Sequence, residues 1–600
     1  YESGLEGLIR SPVHAILNAV QLILEESSAK NSPDAPSVYP FVSSLIPICL
    51  RLAEVVAPIV HHLSPEGYLP EDVQITGTGP GVLSTSPSQQ LLACAWRAHR
   101  QVSAILGWCA KELPYPEVLT STVIADIGTY FWTQLTECKH CGAFEGAVDG
   151  FEILCARLWR MREADAPRGI HPIAWIENIL ALIADADSAA QSLCVTRRSA
   201  GLPHLVTSIL VTEPEQRDNA ALKYTLAELL DMTGKGTEAK VHSFNVTKAI
   251  IACSRLSEKV QSALELALLV SIEGCASSCW PERNAAAQLV AALRARVFGV
   301  PRSDQRELRP HAHNTMSACE FFARFPSLRA HLLHSIRTCE RAADEFALFP
   351  ALVLLSHIFP STNSQAGPDS LTPFVPRILE VLLSARAEKL RALAAVTLLC
   401  ITTREDIRMI LEWIGKATWT ALPQNHVHAL LLILQETLAT NASKHESVLE
   451  KVESILRSIW EQKVYAGWCD FNLNIFLIMC VTLEVGGGRV PVGLPPVETL
   501  TLSIRPLAAI WRKKGKSSED LLKSSDFRLE CYRNVLLEDG PPMERWLLAQ
   551  AIEDLQVTSK EKDRIMIVDM LVANVERILQ SVELRQKALD YVNGVQHEQM

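Results

Sequence analysis

Long uninterrupted apolar runs are missing from this sequence. The longest, such as 475–483, are far shorter than the roughly 20 residues that a helix needs to cross a bilayer. A secretory signal peptide is not visible either. The short apolar runs predict no stable membrane insertion, and the cysteine pattern described next is the reason that we expect a cytoplasmic location.

Paired cysteines at metal-site spacing are also scarce, although the chain has 16 cysteines. Most lie within apolar helical stretches, as Cys94 and Cys400 do, which is typical of free thiols in a reducing compartment, the cytosol or the nucleus. Cys138 and Cys141 form a C-x-x-C motif around His140, but a structural zinc site needs four ligands and no second pair follows at finger-like spacing. We predict a helix end with two free thiols and no bound metal.

Signatures of an enzyme active site are missing as well. Glycine-rich stretches occur at 77–81 and 486–488, but a phosphate-binding loop needs a strand before it and a helix directly after it. Without the strands, the chain lacks the doubly wound sheet that holds a dinucleotide or a methyl donor. No nucleophile or metal constellation has motif-like surroundings. We therefore predict no catalytic residues, no cofactor and no enzymatic activity.

What the sequence does contain is helical periodicity along nearly its whole length. In 443–460 the apolar residues recur at intervals of three and four, which places them on one helix face, and Ser443 with Glu446 matches a capping box. Pro281 and Gly299 match the usual start and end of another helix. Alternation with period two, the signature of strands, is nearly absent. About two dozen helices of fifteen to twenty residues would fill the chain.

The predicted fold class is all-α, an α-solenoid of degenerate HEAT- or armadillo-like repeats. Segments 282–287 and 390–395 are typical of the second helix of a HEAT repeat, in which an arginine precedes small residues that let helices approach closely. We divide the chain into a helical-repeat region at 1–232 and C-terminal repeats at 238–600. Longer breaks are expected only at 27–40, 64–88, 300–315, 359–372 and 485–496. An all-helical protein of several bundle domains is the structural alternative.

The charge balance is acidic, with a formal net charge of -10, which argues against a protein that coats nucleic acid with its whole surface. Three local basic clusters remain. They are Arg197-Arg198, the arginines between 294 and 309, and the group at 512–516. Solvated helix faces explain any one of them; phosphate binding is the sharper interpretation, because guanidinium forks match phosphate oxygens.

Several strings, taken in order, resemble the thyroid adenoma-associated protein (THADA) family, including its fungal tRNA-methylation members. The resemblance covers about 138–431 and rests on these strings: KHCGAFE at 139–145, RRSAGLP at 197–203, VHSFN at 241–245, Trp280 with Arg283-Asn284, RVFG at 296–299, EFFARFP at 320–326 and NHVHALL at 425–431. RRSAGLP is the most specific of them. The family's chains are much longer than this one.

The resemblance implies a non-catalytic subunit that partners a Rossmann-type tRNA 2′-O-methyltransferase. The complex would bind tRNA and methylate the ribose of the first anticodon-loop nucleotide, position 32. Residues implied in tRNA or partner binding are Arg197, Arg198, Ser199, Gly201, Pro203, Lys139, His140, Arg283, Asn284, Arg296 and Arg324. Gly201 and Pro203 predict that RRSAGLP lies at a helix start or a kink, with Arg197 and Arg198 just before it.

Two other functions fit the same helical repeats. One is a general scaffold or regulator without a tRNA role, for example of a membrane calcium pump, to which an animal relative has been connected. The other is a nuclear transport receptor, since those are also HEAT solenoids. Tight binding to structured RNA that weakens steeply with salt would separate the tRNA function from both.

Overall fold

The structure of the chain is a computed structural model. It describes residues 13–29, 35–62, 87–138, 140–161, 169–187, 201–300, 312–337, 345–361, 370–439 and 446–469, with a few single residues besides, the last of them Leu483. Within those ranges the chain is almost entirely helical, and it divides into two compact units. Unit 1 is Tyr1–Asp304 with Phe325–Leu332, and unit 2 is Gln305–Arg324 with Leu333–Met600.

Unit 1 is built from stacked helices. They are α1 (Val13–Ala29), α2 (Ala35–Val60), α3 (Pro87–Glu112), α4 (Ser121–Glu137), α5 (Cys141–Arg160), α6 (Pro172–Ala184), α7 (Leu202–Val211), α8 (Ala220–Leu230), α9 (Thr237–Ala252), α10 (Leu264–Gly274) and α11 (Trp280–Phe298). Short 3-10 turns lie at Glu215–Arg217, Met232–Gly234, Ser254–Leu256 and Gln261–Ala263. Alternate helices lie side by side, α1 on α3, α3 on α5, α5 on α7, α7 on α9 and α9 on α11. This pattern, in which each repeat packs on its neighbour, is the one expected of an α-solenoid.

Unit 2 repeats the arrangement. Its helices are α12 (Ala318–Arg324), the last part of α13 (Pro326–Arg337, of which residues 326–332 belong to unit 1), α14 (Glu345–Ser356), α15 (Val375–Ser384), α16 (Glu388–Ile401), α17 (Arg404–Gly415), α18 (Gln424–Ala439) and α19 (Glu446–Glu461). Its 3-10 turns are Ala312–Asn314, Thr372–Phe374, Trp419–Ala421 and Val464–Gly467. Here α14, α16 and α18 form the stacked row. Two residues of β1 (Met316–Ser317) pair in parallel with β2 (Ile358–Phe359).

The closest helix packing in unit 1 joins α3 to α5, and glycine makes it possible. Gly142, Gly146 and Gly150 follow one another at four-residue spacing, so they share one face of α5. A β-carbon at Gly150 would lie 2.6 Å from the Ser103 carbonyl oxygen of α3 and 2.7 Å from Phe131. A β-carbon at Gly107 of α3 would lie 2.6 Å from the Gly150 α-carbon. The two backbones therefore approach more closely than any side chain at these positions would allow.

Segments 282–287 and 390–395 each contribute an arginine that ties a helix to the loop before it. Arg283 Nη1 donates to the carbonyls of Ser277 and Ser278, both at 2.7 Å. Arg391 Nη1 donates to the carbonyls of Ala385 at 2.8 Å and Arg386 at 2.9 Å. The sequence offsets are the same in both units, which matches the shared motif. These guanidinium groups satisfy loop carbonyls that would otherwise lack a partner.

The fold class that the sequence predicts, an all-α repeat array, is confirmed. Helix α11 begins at Trp280 with Pro281 in its first turn and ends before Gly299, whose φ of 86° favours glycine, as predicted. The expected break at 27–40 is wrong in extent, because α1 runs to Ala29 and α2 starts at Ala35 despite an internal Pro40. Ser443 and the two glycine-rich stretches lie outside the described residues. The division at 232/238 stays a prediction.

One described helix could cross a membrane by length and composition alone. It spans Tyr39–Val60, and 39% of its most apolar window is buried within the protein; no other such helix lies among the described residues. Counting uninterrupted apolar runs missed this segment, because Arg51 and Glu54 interrupt it. The absence of stable membrane insertion remains a prediction.

Candidate functional site

The structure brings the described parts of the KHCGAFE and RRSAGLP strings, His140–Glu145 and Gly201–Pro203, into one region of unit 1. Gly201 packs on the backbone of Leu135 near the end of α4, only a few residues before His140. The Phe144 ring of α5 lies 5.5 Å from the His204 ring of α7, centroid to centroid. The end of α4 and the starts of α5 and α7 therefore form one junction, which we call the α4–α5–α7 junction.

Gly201 and Pro203 lie at a helix start, so this prediction is confirmed for residues 201–203, the described end of the RRSAGLP string. Gly201 precedes α7, and Pro203 lies in the first turn and is buried. Gly201 has φ -79°, so conformational freedom is not the reason for glycine here. A β-carbon would lie 2.6 Å from the Leu135 carbonyl oxygen, so contact with α4 requires the missing side chain. Arg197, Arg198 and Ser199 lie outside the described residues.

The C-x-x-C motif spans the turn from α4 to α5. The predicted helix end is confirmed, because α4 ends at Glu137 and α5 begins at Cys141. Cys138 is a buried free thiol whose Sγ donates to the Val60 carbonyl at 3.4 Å, and the His140 backbone N–H donates to the same carbonyl at 3.2 Å. The turn is thereby anchored to the end of α2. Lys139 and the Cys141 side chain lie outside the described residues, and among the residues searched no cluster of three metal ligands occurs.

A network of hydrogen-bonded polar side chains lies close to this turn, between α3, α4 and the end of α2. Gln134 Oε1 accepts from His99 Nε2 at 2.6 Å and from His61 Nε2 at 2.8 Å, which links α3, α4 and the residue after α2. The network continues through Ser103 and Tyr130, whose hydroxyls are 2.7 Å apart. Burial lowers the pKa of His99 to about 4. His99 is therefore neutral at neutral pH, as a ring enclosed by helices should be.

Basic and aromatic side chains lie together near this turn. We call them the Trp96 surface, which consists of Trp96, Arg97 and Arg100 of α3 and of His140. The rings of Trp96 and His140 are nearly parallel, at 14°, with centroids 6.1 Å apart. The Arg97 guanidinium lies 5.6 Å from the Trp96 ring centroid, and both arginines are exposed. Of these four, the sequence interpretation named only His140. The missed signal is the string Trp96-Arg97-Ala98-His99-Arg100, which places one aromatic and two cationic side chains within a helical turn.

The remaining predicted residues are placed separately from this surface. Arg283 is held by its loop carbonyls, and Arg296 donates from Nε and Nη2 to the Ile251 carbonyl, at 2.9 and 2.6 Å, so it caps the end of α9. Asn284 is exposed on α11. Arg324 is exposed at the end of α12 in unit 2. A binding role for each of these four stays a prediction.

Two family models match the chain. One, described as THADA/TRM732, DUF2428, matches residues 40–281, and the other, described as Trm732, C-terminal TPR repeats, matches residues 283–437. The first match encloses the α4–α5–α7 junction and the whole Trp96 surface. The second begins within α11 and covers most of the helical rows of unit 2.

Curated proteins that carry the same family names, THADA and trm732, are also similar to the chain. The chain is 28% identical over 496 residues to a Drosophila melanogaster protein named tRNA (32-2'-O)-methyltransferase regulator THADA, covering 73% of this chain and 27% of that one. The Homo sapiens protein of the same name is 28% identical over 510 residues, covering 72% and 26%. A Schizosaccharomyces pombe protein named tRNA (32-2'-O)-methyltransferase regulator trm732 is 26% identical over 471 residues, covering 74% and 30%. The chain thus spans little more than a quarter of the length of these relatives.

Proposed function

We propose that this chain, which belongs to the THADA/Trm732 family, acts as the non-catalytic partner of a tRNA 2′-O-methyltransferase and helps position tRNA for ribose methylation at nucleotide 32. The observation that carries the proposal is the match of the first family model to residues 40–281, because that region contains both the α4–α5–α7 junction and the Trp96 surface. The relatives are named as regulators of this methylation.

The proposed division of labour follows from what each subunit needs. Methyl transfer requires a site for the methyl donor, and the partner would supply it on a Rossmann-type sheet. A row of stacked helices instead offers an extended surface on which a large, folded ligand can be held. This chain would therefore contribute affinity and orientation, which lower the barrier by fixing the reacting ribose beside the donor. We place this work in the cytoplasm, without stable membrane insertion.

Arg197 and Arg198 are the residues we propose for anion binding at the junction. They precede Gly201 by four and three residues, and Gly201 is fixed against Leu135 at the start of α7. A helix start favours anions through its free backbone N–H groups, and two guanidinium groups add to the same field. Lys139 beside His140 would contribute to the same field from the other string. A tRNA phosphate is the proposed ligand, and an acidic loop of the methyltransferase is the alternative.

Arg283 and Arg296 would act differently from the other predicted residues. Because their guanidinium groups bind backbone carbonyls, we propose that they shape the helix ends near any ligand instead of binding it. Asn284 is exposed, and we propose that it contacts the ligand directly; Arg324 is also exposed, at the end of α12.

The test is reconstitution of methylation with the full-length protein. The tagged protein is purified from its source, and the associated RNA and proteins are identified. Methylation at nucleotide 32 is then mapped with the methyltransferase alone, with the wild-type protein, and with the double variant Arg197→Ala, Arg198→Ala. Arg404→Ala, Arg408→Ala on α17 is the matched control, because it removes two exposed arginines from unit 2.

We expect a methyltransferase and tRNA to copurify with the protein. Methylation should require the wild-type protein, be lost in the Arg197/Arg198 variant at an unchanged melting temperature, and persist in the control. Full methylation by the methyltransferase alone would refute the proposed function. Early unfolding or normal methylation by the Arg197/Arg198 variant would refute the role of those two residues.

A further inference from the structure

The Trp96 surface differs from the sites of Arg283, Arg296 and Arg391 in how its cations are used. Arg283, Arg296 and Arg391 all donate to backbone carbonyls within the protein. Arg97 and Arg100 make no hydrogen bond or ion pair with the residues that the structure describes, apart from the position of Arg97 over the Trp96 ring. Two exposed guanidinium groups thus remain available to a ligand from outside.

The geometry points to an unpaired RNA base as that ligand: we propose that the Trp96 surface is a stacking platform for a base in a tRNA loop, with Arg97 and Arg100 on the flanking phosphates. Single-stranded RNA is recognised by this combination, in which aromatic rings and guanidinium planes stack on splayed bases while cations contact the backbone. The identity of the RNA as tRNA rests on the proposed function; the stacking chemistry does not.

The rings are held in place for this purpose. Trp96 lies on α3 and His140 in the turn before α5, yet their ring planes differ by only 14°. The β-carbon position of Gly142 lies 3.5 Å from each ring, so the start of α5 forms a common floor beneath them. His140 is further fixed by the hydrogen bond of its backbone N–H to Val60. Because the two rings are oriented before any ligand arrives, little side-chain freedom is lost when a base stacks on them.

The cations are similarly positioned. Arg97 and Arg100 lie three residues apart on α3, so their side chains leave the same face of the helix. The β-carbon position of Gly146 lies 2.9 Å from Arg100 Cγ, which shows that the Arg100 stem runs directly across α5. The stem is packed while the guanidinium remains exposed, an arrangement that presents a charge at a defined place.

An acidic segment of a protein partner is the competing ligand. It would satisfy the two arginines, but it has no flat aromatic face to match the parallel rings. A nucleotide supplies both a planar base and a phosphate at neighbouring positions, so it accounts for the whole surface. The contribution of Trp96 to the binding affinity therefore distinguishes a nucleotide from an acidic segment.

The experiment measures binding of the full chain to two RNA probes of equal length. One is a short hairpin with an unpaired loop, and the other is a blunt duplex. Fluorescence anisotropy is recorded over a range of salt for wild type, Trp96→Phe, Trp96→Leu, and Arg97→Ala, Arg100→Ala. The double variant Arg404→Ala, Arg408→Ala is again the matched control, and melting temperature is recorded for every variant.

We expect the wild type to prefer the hairpin, and Trp96→Leu to weaken hairpin binding about tenfold with little change for the duplex. Trp96→Phe should retain most of the affinity. Loss of both arginines should weaken binding to both probes. The plot of log affinity against log salt should also become less steep by about 1.5, because each of two lost phosphate contacts accounts for about 0.7–0.9. The control should match the wild type.

Equal affinity for hairpin and duplex, or an unchanged hairpin affinity in Trp96→Leu, would overturn the proposal. If Trp96→Leu is destabilised, the arginine variant decides, because an unchanged affinity and salt slope there also overturns it. An arginine effect on methyltransferase binding without any RNA effect would identify the acidic segment instead. A failure of the proposed function would give a different result from a failure of this inference. In the first case the methyltransferase would methylate tRNA without the protein, while Trp96-dependent hairpin binding would persist.

Discussion

Helix α3 of unit 1 and helix α16 of unit 2 both carry arginine on a surface that faces a neighbouring helix, but they use it in opposite ways. On α16, Arg391 is 6% exposed and donates from Nε to His428 Nδ1 at 2.8 Å, as well as to two loop carbonyls. On α3, Arg97 and Arg100 are exposed and donate to no described group. The first arrangement contributes to folding, whereas the second leaves charge available for binding.

The difference comes from the neighbours of the two helices. Helix α5 passes α3 with glycines at 142 and 146, so the Arg100 stem can cross it and reach solvent. Around Arg391 the neighbours are a loop with carbonyls to satisfy and the buried ring of His428, 2% exposed. In these two helices, the groups of the adjacent repeat determine the role of the arginine. Nearby acceptors such as loop carbonyls bind it within the fold, whereas glycines leave its guanidinium exposed to solvent.

The largest expected difference between the two units is how much stability each loses as the pH falls. Burial lowers the pKa of His99 and of His242 in unit 1 to about 4, and burial, followed by the charge of Arg391, does the same for His428 in unit 2. Because the folded pKa lies below the ordinary value of 6.5, the unfolded chain binds more protons between those limits. The stability from each neutral histidine is complete above about pH 6.5 and is lost as pH falls toward 4, up to about 3 kcal/mol per histidine.

Hydrogen exchange at several pH values, corrected for intrinsic rates, would check this. Amides of α3, α4 and α9 should lose more protection between pH 7 and pH 5 than those of α18, because unit 1 has two such histidines. His99→Gln should reduce the acid dependence of α3 and α4 while leaving that of α18 unchanged. Equal acid sensitivity in both units would contradict the assignment of these three histidines as buried and neutral.

Glycine substitutions should give the next largest effect. Gly150→Ala would place a methyl group 2.6 Å from the Ser103 carbonyl oxygen, so α3 and α5 must separate, at a cost of about 3 kcal/mol. Gly415→Ala in unit 2 is the control, because its nearest contact, Ile455 Cγ1, would be at an ordinary 3.6 Å. That variant should be neutral or stabilising by up to about 1 kcal/mol. Chemical denaturation of both variants measures the difference, and equal stability would disprove the close contact of α3 with α5.

The arginines themselves should separate the two regions by a smaller amount. Arg391→Ala removes three hydrogen bonds and leaves buried acceptors without a donor, which should cost about 2 kcal/mol. Arg97→Ala, Arg100→Ala should change the free energy of unfolding by less than about 1 kcal/mol, because both arginines are exposed and only the Arg100 stem packs on α5. Thermal unfolding of both variants tests this, and a destabilised Arg97/Arg100 variant would mean that these residues serve folding.

Helical periodicity was enough to predict the fold class, and Pro281 with Gly299 correctly predicted the ends of α11. Periodicity could not show the register in which α3 crosses α5, because that depends on contacts between residues such as Gly107 and Gly150 that are distant in sequence. For the site, the end of RRSAGLP, residues 201–203, was correctly placed at a helix start. The reason for Gly201 was missed, since its contact with Leu135 is long-range. Trp96 was missed because an isolated tryptophan on an amphipathic helix is usually part of a core.

The most direct test of the account is ultraviolet crosslinking of tRNA to the full chain, followed by identification of the crosslinked peptides. The account predicts crosslinks in peptides from α3 and from the start of α5, with the α3 crosslink lost in Trp96→Leu at an unchanged melting temperature. Crosslinks confined to unit 2, or an undiminished α3 crosslink in that variant, would contradict the claim that unit 1 holds the RNA through the Trp96 surface.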